Sequence, residues 1–311
     1  MVRINLAAQG NATLGTGVQD VFRKFLVDSV PVTSNTPLAF NRANVSYEAL
    51  LYEVHDRPAG PASAVSPNWF GVALPTPRES FDLTGDVFVI LYFHPTPGQA
   101  GYNDDDYFAK SGASGTDWKR LYAYVDRLGA QMAGANLRGA PTNRLVVVPI
   151  LRSPPYTLPT SEWFNVIHDI LQDINKDVLP GVCTRPKKLI VATISNGSVY
   201  LNKFLADTVA DPVNNAKLIE AWDFDSEISR PQVLVKPLGK RLRAYWQNPP
   251  GAEPNSTYIQ VPQPPSWNNY PAAPPVEIPP LPDNSDGQKI HHCIRDTLFL
   301  DAVINIEADN P

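Results

Sequence analysis

With 311 residues, 43% of them hydrophobic and 18% charged, the chain can fill one large α/β domain or two small ones and is too apolar to be disordered throughout. A formal net charge of -5 gives no electrostatic footing for nucleic acid or for an anionic membrane. No run reaches the length of a membrane span and the first residues hold no apolar signal core, so the reading expects a soluble, cytoplasmic protein without a signal peptide.

In chain order, Val18, Val21, Phe22, Phe25 and Leu26 recur at helical spacing, and short strand candidates follow at Ser46 to Val54 and Trp69 to Leu74. Prolines break this region repeatedly, so residues 1–80 read as an N-terminal extension or edge hairpin packed on the core. From residue 81 to 311 the pattern is that of one main domain. Val87 to Phe93 (VFVILYF) is an apolar run of strand length that ends at His94-Pro95-Thr96-Pro97. Trp118, Leu121, Tyr122, Val125, Leu128 and Met132 mark a helix face, and Arg144 to Leu151 is the next strand. Thr160 or Ser161 caps a helix with Trp163, Ile167, Ile170, Leu171, Ile174 and Val178 along one side.

Leu189 to Thr193 then leads into Ile194-Ser195-Asn196-Gly197-Ser198 and a further helix with apolar Val199, Leu201, Phe204 and Leu205. The following strands are Lys217 to Trp222, ending at Asp223-Phe224-Asp225, then Arg241 to Trp246 and Thr257 to Val261. The basic residues Lys236, Lys240, Arg241 and Arg243 read as a solvated strand flank. Strands apolar on both faces, alternating with helices, predict an α/β fold: a mainly parallel central sheet with helices on both faces. Such sheets bind ligands beyond the carboxyl ends of their strands, where His94, Ser195, Asp223 and Asp225 are expected to fall.

Proline supplies 32 residues and is densest at 262–288, which excludes a helix or internal strand there. That segment carries Trp267 and Tyr270, and reads either as a surface connection or as a lid and substrate-binding wall over a cleft. Ile290-His291-His292-Cys293 follows and opens a final helix with Ile294, Leu298 and Ala302 inward.

Chemistry concentrates at Ser195. A serine on a tight strand-to-helix turn holds its hydroxyl above the sheet edge, with a helix N-terminus behind it to receive negative charge. Close backbone passage asks for small residues two places either side, and Gly197 meets that need better than Thr193. The alternative is an ordinary Asn-Gly turn. Cys183 and Cys293 match no metal spacing, Asp104-Asp105-Asp106 reads as a solvated loop, and Gly15-Thr16-Gly17 is no dinucleotide fingerprint. No metal and no cofactor are therefore expected.

The order of strand, His-Pro loop, strand, serine turn, strand ending in aspartate and late histidine resembles the α/β-hydrolase superfamily over roughly residues 85 to 305. The resemblance implies an α/β-hydrolase-like fold with Ser195 as nucleophile and His291 or His292 as its base. It implies Asp225 as the acid, with Asp223 in competition, although many members carry the acid one strand later, where this chain has Gln247, Asn248 and Glu253. It places the oxyanion donors at the N–H of Asn196 and of Thr96, beside His94 as a substrate-site residue. The implied activity is cleavage of a small-molecule or acyl ester through an acyl-enzyme. An inactive binding or assembly protein on the same fold, and an amide or peptide hydrolase, are the alternatives.

Overall fold

Runs of β-branched and aromatic residues become buried strands where other elements can cover both their faces. In this computed structural model the described residues are 2–4, 47–53, 69–75, 87–94, 125, 128–129, 131–133, 135–136, 140, 142–149, 160–178, 186–209, 211–226, 239–246, 256–260, 299 and 302–306. Among them, nine strands form one sheet. They are β1 (Val2–Ile4), β2 (Tyr47–Glu53), β3 (Trp69–Pro75), β4 (Val87–Phe93), β5 (Arg144–Pro149), β6 (Pro186–Ile194), β7 (Leu218–Phe224), β8 (Arg241–Trp246) and β9 (Ser256–Gln260). Their spatial order is β1-β2-β3-β5-β4-β6-β7-β8-β9. From β5 to β9 every pairing is parallel, whereas β1, β2 and β3 join antiparallel, β3 against β5. The N-terminal strands thus extend the same sheet.

The helices described over their full length are α1 (Thr160–Val178), α2 (Ser198–Val209) and α3 (Pro212–Lys217), and residues 125–136 and 299–304 include further helical residues. Apolar residues at helical spacing turn α1 and α2 onto one sheet face. There Trp163, Ile167, Leu171, Tyr200 and Phe204 join Leu91, Phe93, Val147 and Val191 in one core. Burying side chains of this size stabilises the fold by about 1.5–3 kcal/mol each. On the opposite face Val125 fits against Gly71, where a Cβ would stand 2.5 Å from its Cγ2. Phe299, in the C-terminal helical residues, lies on Trp222, Tyr92 and Phe224 with ring centroids 5.8, 6.1 and 6.2 Å away. Helices therefore cover both faces, and the architecture is α/β-hydrolase-like.

β4 and β8 occupy the stretches their apolar patterns mark. β6 is longer than Leu189 to Thr193, and Lys217 belongs to α3 instead of opening β7. The reason is local: Asp211 caps α3, its Oδ1 accepting from the N–H groups of Val213 and Asn214 at 3.1 Å each, and Pro212 is preset for the first helical turn. Arg243 is a second correction. Far from being a solvated flank residue, it is buried and its Nε donates to Glu220 Oε1 at 3.0 Å. The amphipathic stretch at Val18 to Leu26, both cysteines, and the segment 262–288 lie outside the described residues.

Candidate active site

β6 ends at Ile194, and Ser195–Gly197 form a single 3-10 turn that passes straight into α2. With no loop between strand and helix, one residue must reverse the chain sharply. Ser195 does so at φ 55, in the left-handed region that L-residues avoid. Such a conformation persists only where the surroundings hold it. Two of those constraints are visible. A Cβ on Gly197 would strike the Phe93 carbonyl and lie 2.7 Å from Thr193 Oγ1 and 2.9 Å from the His94 carbonyl, so only glycine lets the turn pass this close to β4. Thr193 is fully buried, and its hydroxyl donates to the Phe93 carbonyl at 3.0 Å. The threonine that the pattern disfavours is accommodated because Gly197 leaves room for its hydroxyl.

Ser195 is half-buried, and the backbone of Asn196 lies in the same turn, ahead of the N-terminus of α2. His94 follows the last residue of β4 and is 2% exposed. Asp225 follows the last residue of β7 at φ 59, with its N–H donating to the Tyr245 carbonyl at 3.0 Å. Ile194 of β6 and Phe224 of β7 are ladder partners, so Ser195 and Asp225 are each the next residue beyond one paired rung. Both stand at the carboxyl edge of the parallel strands, and Asp225 is half-buried.

Asp223 lies two residues before Asp225, as the next-to-last residue of β7. β7 continues to Phe224, so Asp223 is inside the strand, paired with Thr193, and fully buried. Trp246 Nε1 donates to its Oδ2 at 2.8 Å, a bond that joins β8 to β7 within the core. Thr96, Trp267, Tyr270, His291 and His292 lie outside the described residues.

Buried charge gathers on the other face, near the C-terminal residues 302–306. Arg144, the first residue of β5, donates through Nη1 to the Val303 carbonyl, and Arg243 donates through Nη2 to the Asn305 carbonyl at 2.8 Å. Burial draws the Arg144 guanidinium down to about 10. Burial works against charge on Arg243, but Glu220 and Tyr245 together outweigh it and hold its pKa above the ordinary arginine value. Sequence periodicity did not reveal this clamp. Its one visible signal was charge at positions of β5, β7 and β8 that alternate with apolar core residues.

Among the described residues no cluster of three or more histidine, cysteine or carboxylate side chains is placed to hold a metal ion, and no helix is long and apolar enough to cross a membrane. No family model and no curated protein matches the chain. Among solved structures it is similar to a feruloyl esterase module from Clostridium thermocellum complexed with sinapinate, at 8% identity and a TM-score of 0.38, covering 91% of this chain and 96% of that one. It is also similar to S-formylglutathione hydrolase from Staphylococcus aureus, at 13% identity and a TM-score of 0.29, covering 65% and 77%. A third is an arylesterase, at 14% identity and a TM-score of 0.29; the match covers 67% of this chain and only 52% of the arylesterase. At these values the fold rests on the strand order and connections described above.

Proposed function

We propose that this protein is a serine hydrolase that cleaves a carboxylic ester. The observation that carries the reading is Ser195 at φ 55, held between a buried strand and the start of α2. An uncharged serine hydroxyl becomes an effective nucleophile when a base takes its proton as Oγ attacks the ester carbonyl carbon. The C–O bond to the alcohol then breaks, the base returns the proton to the departing oxygen, and water releases the acyl group by the same steps. Negative charge on the carbonyl oxygen is received by N–H groups, for which we assign Asn196 and Thr96.

The base in this scheme is His291 or His292. Helical residues 299 and 302–304 run from Tyr92 and Phe224, near the strand carboxyl ends, toward Arg144 at the start of β5. Asp225 is the preferred acid, since it stands at that edge, while the Asp223 carboxylate is bonded to Trp246 inside the sheet. Residues 262–288, with Trp267 and Tyr270, would wall the substrate cleft together with His94. Residues 1–80 would serve as an edge extension of the main domain, 81–311.

Labelling with a fluorophosphonate probe, beside turnover of a short-chain aryl ester and its amide analogue, tests the reading. Wild type is expected to label and to hydrolyse the ester, and Ser195→Ala and the double variant His291→Ala/His292→Ala to do neither. Asp225→Asn is expected to lower kcat by about a thousandfold or more with the fold intact, and Asp223→Asn by far less. Folded wild type that neither labels nor turns over either substrate would transfer the reading to a non-catalytic binding or assembly protein, and faster amide cleavage to an amidase.

A further inference from the structure

We infer that Thr193 is a positioning residue for this chemistry, its hydroxyl setting the distance between the serine turn and the end of β4; the inference rests on the serine hydrolase reading. The position two before the nucleophile is ordinarily glycine, chosen for its smallness. Here it is a fully buried threonine with a specific bond, Oγ1 donating to the Phe93 carbonyl at 3.0 Å. Phe93 is the last residue of β4 and is paired with Thr193 at the final rung of that ladder. The last rung of a ladder has a paired neighbour on one side only, so a side-chain bond at this point stiffens it most.

The same hydroxyl stands 2.7 Å from the place a Gly197 Cβ would take, with the carbonyls of Phe93 and His94 lining that place too. One side chain thus bonds the end of β4 and faces the space beside Gly197 in the turn. The turn 195–197 presents the N–H of Asn196, and the chain leaving β4 at His94 leads to the second proposed donor. A carbonyl oxygen must meet donors from both at once, and stabilisation of its charge falls steeply when either is displaced. Valine matches threonine in shape but lacks the donor, whereas serine keeps the donor and loses a methyl.

The test compares Thr193→Val and Thr193→Ser with wild type, measuring kcat, KM, the rate of fluorophosphonate labelling and thermal unfolding. Thr193→Val is expected to lose about tenfold to a hundredfold in kcat and in labelling rate, with KM changed less than about twofold. Thr193→Ser is expected to keep kcat within about threefold of wild type, which mere filling of core volume would not achieve. Should valine prevent folding, Thr193→Ala takes its place, with the same loss expected. Wild-type kcat in the valine or alanine variant, or a serine variant as slow as either, overturns the inference while leaving the hydrolase reading in place. Failure of wild type to label at Ser195 removes that reading and this inference with it.

Discussion

At Ser195 the backbone takes φ 55, which costs an L-residue about 1–2 kcal/mol relative to the right-handed conformation. Alanine would suffer the same strain. Glycine would not. Ser195→Gly is therefore expected to be more stable than Ser195→Ala by about 1 kcal/mol in chemical denaturation, the relief of strain exceeding glycine's entropic penalty. Both variants are expected to be inactive. Equal stability would mean that the turn is not strained at this residue. Asp225, at φ 59, differs because its short polar side chain tolerates the left-handed region, so its backbone alone gives little reason to expect a gain from glycine.

At the scale of elements, the carbonyl end of the final helical residues is tied down by two buried arginines from separate strands. Arg144 holds Val303, and Arg243 holds Asn305 while pairing with Glu220. Cations at a helix C-terminus complete its unpaired carbonyls and oppose its dipole. Arg243→Leu would strip Glu220 of its counter-charge and Asn305 of its donor, and is expected to cost about 3–5 kcal/mol by urea unfolding at neutral pH. Glu220 adds a pH dependence. Burial raises its pKa above the ordinary 4.5, against the pull of Arg243. Over the window from 4.5 up to that raised value the folded state keeps a proton the unfolded state has lost, so stability falls as pH rises. Glu220→Gln, which keeps an acceptor and drops the charge, is expected to gain on wild type across that window. A constant difference between the two would remove Glu220 as the titrating group.

At the scale of the whole molecule, Phe299 joins the C-terminal residues to Tyr92 of β4 and to Trp222 and Phe224 of β7. Phe299→Ala is expected to cost about 3–5 kcal/mol in denaturant unfolding, and a loss under 1 kcal/mol would mean that this helix is not integral to the core. Much of the architecture was legible beforehand because its signals are local. VFVILYF in β4 is too short and too apolar for a surface helix, RLRAYW in β8 is of strand length, and the repeated strand-helix alternation calls for a parallel sheet. The turn at Ser195 was legible as well, since a strand pattern meets a helix pattern there without loop residues between them. What escaped were features decided between strands. Period-two alternation cannot say that Asp223 continues β7 and bonds Trp246, that Arg243 points inward to Glu220, or that Thr193 fits because Gly197 lies beside it. The sequence by itself determined the central parallel strands, the helices α1 and α2 and the serine turn, because backbone preference and hydrophobic period act over a few neighbouring residues. Only the tertiary structure decided which polar side chains are core partners and which stand at the carboxyl edge, because that depends on what each strand meets across the sheet.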